Sequence, residues 1–285
     1  QRDVLQPLFS RDSLRDYADG MVDAIRRRRD YWQPGTRIDL AAETSDLTLD
    51  VLFATLLGRD LAVDGDREIR TAADRLQHWF APTSYPLPTW IPTPARRRFK
   101  RGKRRLQSVA SRLLDAAADD PPADPSEADD LLTLLVALRE SGVESEALTD
   151  DRLRDQVVTM IFAGHDTTAT AIAFAFYALA TNPGTRERFH AEVDALDGPP
   201  TVADLDALDV TERVVTETLR LFPPVYTIPR ESTAETVVDG YRIPEGVPTW
   251  LTVDRVHRDP RFYDDPSAFR PERWAGDLRE RLPDF

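Results

Sequence analysis

One stretch constrains the fold more than any other. It opens at Thr149-Asp150-Asp151, a capping residue followed by acids in the first turn, and Asn182-Pro183 stops it after about Thr181. A helix of that length spans on the order of 50 Å, the width of a whole domain. From Val157 to Ala180 it is apolar on nearly every face, which predicts a helix buried all round. In its middle stands Ala163-Gly164-His165-Asp166-Thr167-Thr168. A mid-helix glycine costs about 1 kcal/mol relative to alanine, and buried polar groups cost more unless they find partners. A local violation in so long a helix points to a site, or else to a kink at Gly164. His165 without further ligands at suitable spacing is a weak metal candidate and is expected to face a neighbouring helix or water.

Helical periodicity runs through the first three quarters of the chain. It predicts helices over Ser10–Trp32, Leu40–Leu57, Arg67–Phe80, Pro94 to about Ala118, Leu131–Ser141, Pro183–Leu196 and Ala203–Phe222. Ala81 to Pro94 holds five prolines and reads as a loop; Asp119 to Asp130 is an acidic, proline-rich linker. The period then changes. Thr236–Ile243 and Val247–Val253 read as short strands around turns at Gly240 and Gly246, within a β region at about 235–253. Pro248 confines its strand to an edge, and the tail from Arg258 to Trp274 reads as irregular.

Composition excludes several chemistries. The chain has no cysteine, so disulfides, thiolate metal sites and thiol catalysis are outside its own reach. No apolar run approaches the roughly 20 residues of a membrane-spanning segment. The formal net charge is −13, which repels a nucleic-acid polymer over most of the surface. Lys100 and Lys103 are the only lysines and Asp outnumbers Glu by more than two to one, a balance that suits a salt-loving source or a high-GC genome. One run departs from the acidic trend: eight of the ten residues from Arg96 to Arg105 are cationic. Anionic membrane or nucleic-acid contact is one reading; a solvated helix face balanced by nearby acids is the favoured one. The first residues carry no start methionine and no signal-peptide order, and with Leu282-Pro283-Asp284-Phe285 they read as the ends of an internal piece.

Three motifs follow in order. Asp166-Thr167 is an acid–alcohol pair of the kind that delivers protons. Glu217 and Arg220 share a helix face at i, i+3 in an apolar turn of Val214, Val215, Leu219, Leu221 and Phe222. A surface ion pair is the ordinary meaning of such spacing, but a buried pair needs further partners. Pro271-Glu272-Arg273-Trp274 closes the series.

Together these residues resemble the cytochrome P450 family, the haem–thiolate monooxygenases. The hexapeptide resembles the oxygen-activation groove of that family's long central helix. Glu217-Thr-Leu-Arg220 is similar to its Glu-x-x-Arg motif and Pro271–Trp274 to its Pro-Glu-Arg motif, with His257-Arg258-Asp259-Pro260 fitting the wording between them. The resemblance runs from end to end. It implies a mainly α, cytochrome P450-type fold with small β-sheets, truncated at both ends, with residues 1–285 as part of a single domain.

The resemblance also assigns roles. Thr167 would donate a hydrogen bond to haem-bound dioxygen, and Asp166 would relay protons. Ala163 and Gly164 would let oxygen and substrate approach the haem. Arg230, in Ile228-Pro229-Arg230, would pair with a haem propionate; Arg2 would be a second propionate partner, as the Arg of a Trp-x-x-x-Arg pattern. Glu217, Arg220 and Arg273 would form a structural triad. Phe162, Val225 and Tyr226 are candidate substrate-pocket walls. The implied cofactor is haem b (iron protoporphyrin IX). The implied partners are dioxygen, a small apolar substrate and a ferredoxin or flavoprotein donor, in a soluble cytoplasmic protein with no nucleic-acid partner. The family's axial ligand is a Cys in a loop after the Pro-Glu-Arg motif, so no metal ligand is expected in this chain; the Cys is expected after Phe285. This chain alone is expected to bind little haem and to be inactive. The alternatives are a degenerate, haem-free helical binding protein and a nucleic-acid-binding module using residues 96–105.

Overall fold

The computed structural model describes residues 11–61, 66–76, 90–122, 124–141 and 148–283. Arg2 and most of the expected 81–94 loop lie outside them. The chain divides into two compact units, Gln1–Ala169 and Thr170–Phe285, and each is described by itself.

The first unit is helical. Its elements are α1 (Arg11–Arg29), α2 (Leu40–Leu56), α3 (Arg67–Leu76), α4 (Pro94–Ala117), α5 (Leu131–Glu140) and the first part of α6 (Asp150–Thr181). Starts are set by local side chains. Asp39 caps α2 by accepting from Ala41 and Ala42 N–H at 3.0 and 3.2 Å. Thr93 caps α4 with Pro94 at the first position, where a missing N–H costs nothing. Asp130 and Thr133 form a reciprocal capping box on α5. The core of this unit is built by Phe53 from α2, Leu106 and Val109 from α4, Leu131, Leu135 and Val136 from α5, and Leu153, Val157 and Ile161 from α6. Beside it lies an ionic knot. The buried Asp50 accepts from Arg28 Nη2 at 2.8 Å and from Arg70 Nη2 at 2.5 Å, tying α1 and α3 to α2.

The second unit holds the rest of α6, α7 (Pro183–Val193), α8 (Asp209–Leu221), β1 (Ile228–Glu231), β2 (Thr236–Val238), β3 (Tyr241–Ile243), β4 (Pro248–Leu251), α9 (Val253–Val256) and α10 (Leu278–Arg281). β2 and β3 pair antiparallel, Val238 opposite Tyr241, around Asp239-Gly240, both at positive φ as a tight hairpin demands. β1 pairs antiparallel with β4, Ile228 opposite Leu251. The edge position expected for Pro248 therefore holds, in a two-stranded sheet, but strand β1 is an element the sequence did not announce.

Three expectations are corrected. Helix α6 is not buried all round: Ala163, Gly164, Thr167 and Thr168 lie on an exposed face, and Tyr177 is 55% exposed. Small and hydroxylated residues at 163–168 leave that stretch nothing large to bury, whereas Phe176 and Tyr177 further along are large and exposed. The single helix over Ala203–Phe222 is two elements, a 3₁₀ stretch Val202–Ala207 and α8. They part at Leu208, which leaves helical geometry at ψ 56° and offers no side-chain cap. The carboxylate of Glu192 on α7 takes over, accepting from Val210 and Thr211 N–H at 2.7 and 2.8 Å. The tail is not wholly irregular, since Pro271–Ala275 forms a 3₁₀ turn at its end. Among the described residues α6 is also the one helix long and apolar enough to cross a membrane by length and composition. The short apolar runs of the sequence hid this, because His165 and Asp166 interrupt them.

Candidate functional site

The middle of α6 presents different chemistry on its two sides. His165 is fully buried, and its backbone carbonyl faces α2. Its Nδ1 lies 2.5 Å from the Ile161 carbonyl, and its own carbonyl accepts the Thr48 hydroxyl of α2 at 2.9 Å. Burial excludes the water-facing reading, and among the described residues no cluster of His, Asp and Glu is placed to hold a metal. Gly164 abuts α2 as well: a Cβ there would lie 2.3 Å from Leu52 Cδ1. The tip of a leucine can rotate aside, so alanine here calls for a rotamer change and no shift of backbone.

The other side carries the hydroxyls. Thr167 Oγ1 donates to the Ala163 carbonyl at 2.9 Å and Thr168 Oγ1 to the Gly164 carbonyl at 3.2 Å. Such back-bonding parks a hydroxyl proton on the helix itself and leaves the oxygen's lone pairs outward. Asp166 is half-buried beside them. The residue that sequence reasoning missed is Asp74, on α3. Desolvation by its protein neighbours holds its carboxyl above the usual range; the negative charges of Asp46 and Asp166 add to this, and His165 and Arg70 oppose it. No local pattern marks Asp74, since only the fold brings α3 within electrostatic range of Asp166.

The second unit gathers the Glu-x-x-Arg and Pro-Glu-Arg residues into one buried knot. Glu217 is completely buried, and its carboxylate accepts five hydrogen bonds. Oε1 takes Arg220 Nη2 at 2.8 Å, Arg270 N–H at 2.9 Å and Arg273 Nε at 2.9 Å. Oε2 takes Arg220 Nε and the Trp274 indole N–H, each at 2.9 Å. Arg220 spends its remaining N–H groups on the carbonyls of His257, Pro266 and Ala268 and stacks over Tyr263 at 5.0 Å. Arg273 reaches the Asp264 and Asp265 carbonyls. Burial pushes the Glu217 carboxyl up, but the hydrogen bonds from Arg220, the Arg270 N–H and Arg273 outweigh it, so its pKa is lowered. Burial likewise lowers His257, whose Nδ1 sits 3.1 Å from the Arg220 carbonyl. Trp274 is the member the sequence did not single out for this role, and a tryptophan directly after the motif arginine is the signal for it.

The remaining candidates are separate. Arg230 is exposed on β1, its guanidinium donating only to the Pro229 carbonyl at 3.0 Å, so its charge meets no carboxylate among the described residues. Phe162 packs against the core of the first unit. Val225 and Tyr226 are exposed in the second, at 52% and 65%. Asp166-Thr167 and the Glu217 knot thus belong to different units, while Glu217, Arg220 and Arg273 are brought together.

The family model for cytochrome P450 matches residues 8–283. The chain belongs to the cytochrome P450 family. It is 33% identical to the cyclooctat-9-en-7-ol 5-monooxygenase of Streptomyces melanosporofaciens over 99% of its own length and 61% of that protein's. It is 31% identical to the pentalenene oxygenase of Streptomyces avermitilis, over 97% of this chain and 61% of the relative. Among solved structures, the retinoic-acid-bound cyanobacterial CYP120A1 superposes at TM-score 0.85 with 24% identity, covering 100% of this chain and 63% of that one. The heme domain of cytochrome P450DA gives TM-score 0.82, also at 24% identity, over 97% and 61%. These likenesses agree with the mainly helical fold and its small sheets. The P450 chain described here spans about three fifths of the length of the first two relatives. None of these relatives supports the salt-loving source suggested by the acidic, lysine-poor composition.

The family's cofactor is haem. The residues fit it in part. Arg230 presents a guanidinium uncommitted to any described carboxylate, suited to a propionate, and the exposed Ala163–Thr168 face is free of bulky side chains. The axial thiolate has no donor in a chain without cysteine.

Proposed function

We propose that the protein carrying this chain is a haem-dependent monooxygenase that places one oxygen atom of dioxygen into an apolar organic substrate. Placing one atom and reducing the other to water consumes two electrons and two protons per turnover. Haem, when bound, supplies the dioxygen chemistry. The chain's own task is to bring protons to that site. The observation that carries this reading is the exposed Thr167 hydroxyl at the centre of α6, with Asp166 half-buried next to it. Thr167 rests with its hydroxyl proton on the Ala163 carbonyl, and a rotation about χ1 frees that proton for delivery. Asp166, the preceding residue, is proposed to resupply that hydroxyl with a proton through an intervening water, since adjacent helix positions do not face one another.

Arg230 is proposed to hold a propionate of haem b, with Arg2 as a second partner. Ala163 and Gly164 keep the α6 face low, and Phe162, Val225 and Tyr226 are proposed as apolar contacts for substrate. Glu217, Arg220 and Arg273 act through structure only. Two relatives are a cyclooctat-9-en-7-ol 5-monooxygenase and a pentalenene oxygenase, which favours a small apolar ring compound as substrate. Electrons are proposed to come from a ferredoxin or flavoprotein, in a soluble, cytoplasmic setting.

Replacing Thr167 with Ala in the full-length protein tests the central residue. Electron consumption continues while product formed per electron falls by about tenfold or more, within the about 10²–10⁴-fold that a general acid contributes at most. Unchanged coupling removes Thr167 from the mechanism.

A further inference from the structure

The basic run is solvated but only partly balanced: Lys103 pairs with Asp155 at 3.4 Å and Arg105 with Glu68. Helices α3 and α4 cross where Gly102 sits; a Cβ there would lie 2.7 Å from Arg75 Cβ and 2.8 Å from the Ala72 carbonyl. Only glycine permits that approach, and it brings two arginine rows to the edges of one open groove of about 570 Å³. α3 contributes Arg67, Thr71 and Arg75; α4 contributes Arg101, Arg104, Arg105 and Ser108. The one carboxylate in the lining is Glu68, which pairs with Arg105 and, at 3.7 Å, with Arg112. Arg67, Arg75, Arg101 and Arg104 have no ion-pair partner among the described residues.

Five guanidiniums against one carboxylate is an unusual concentration in a chain of net charge −13. The scale of screening decides what such a groove can hold. At physiological salt, charges beyond about 8 Å are largely screened. A small anion inside the groove therefore feels the local arginines alone. An extended polyanion or an anionic membrane would also meet the acidic surface around it. The volume suits a small molecule, since ligand pockets run from about 300 to 1,000 Å³. Planar guanidinium forks with two neighbouring hydroxyls, Thr71 and Ser108, match the oxygens of linked phosphates.

We propose that the groove between α3 and α4 is a binding site for a small polyphosphate-bearing anion, a diphosphate or triphosphate group. The site is independent of the haem chemistry proposed above. Calorimetry on the full-length protein with inorganic pyrophosphate and inorganic triphosphate is the test. The expected result is saturable binding that weakens with added salt and weakens at least tenfold in R101Q/R104Q. That variant keeps the wild-type thermal midpoint and the wild-type carbon-monoxide spectrum. R67Q, on the other helix, is a second variant should the first fail to fold, and it too weakens binding. A nucleoside triphosphate and a lipid diphosphate compared with the inorganic probes then identify the source of the phosphates. Equal binding by wild type and variants, an adventitious ion only, overturns the proposal. So does binding of duplex DNA or anionic vesicles that depends on these arginines while neither inorganic probe binds.

Discussion

Glu217 shows at residue scale how a short motif becomes a knot. Its carboxylate is saturated by two guanidiniums, an indole and a backbone N–H. Removing it leaves Arg220 and Arg273 as buried charges without an anion. Glu217→Ala is therefore expected to destabilise the protein by about 3–5 kcal/mol, read from urea unfolding. The lowered pKa sets the pH sense. The stabilisation is fully present above the carboxylate's unfolded value and is lost as pH falls through the lower folded value. Stability of the wild type thus drops at acid pH, and Glu217→Gln flattens that acid limb; an unchanged limb would assign the acid transition to other carboxylates. The pairing of Glu217 with Arg220 was legible because the two share a helix face at i, i+3; Arg273, 56 residues on, was assigned only through the family resemblance. The rest of the knot was not. Carbonyls of His257, Pro266 and Ala268 reach Arg220 only through the path of a loop, which residue type does not encode.

At the scale of elements, the sequence announced helix positions well because caps and breakers are local. Asp39, Thr93 and Asp130 each stand where a helix starts. Asp130→Ala removes the capping box of α5 and is expected to cost about 1 kcal/mol in unfolding free energy. A larger effect belongs to the α3–α4 crossing. Gly102→Ala forces backbone apart at Ala72 and is expected to cost about 1–3 kcal/mol while lowering affinity for the groove's anion. A variant as stable as wild type would mean that the crossing yields at no cost. The break at Leu208 was illegible for a definite reason: its cap, Glu192, comes from another helix. The exposed face of α6 was illegible for another. An apolar composition predicts burial, but small residues such as Ala163 and Gly164 can as well keep a surface low and open.

For the whole molecule, family membership rests on the match over residues 8–283, while helical neighbours at TM-scores of 0.82 and 0.85 support the fold. The ordered series Asp166-Thr167, Glu217-x-x-Arg220 and Pro271–Trp274 carried that membership in sequence alone. Acid balance and hydropathy contributed little, since they describe surface and not chemistry. The central claim, a haem–thiolate monooxygenase, is tested most directly by the spectrum of the reduced, full-length protein under carbon monoxide. The account predicts a Soret band at about 450 nm, the signature of thiolate ligation. A folded full-length protein with no Soret band, or with its carbon-monoxide band well to the blue, would contradict it.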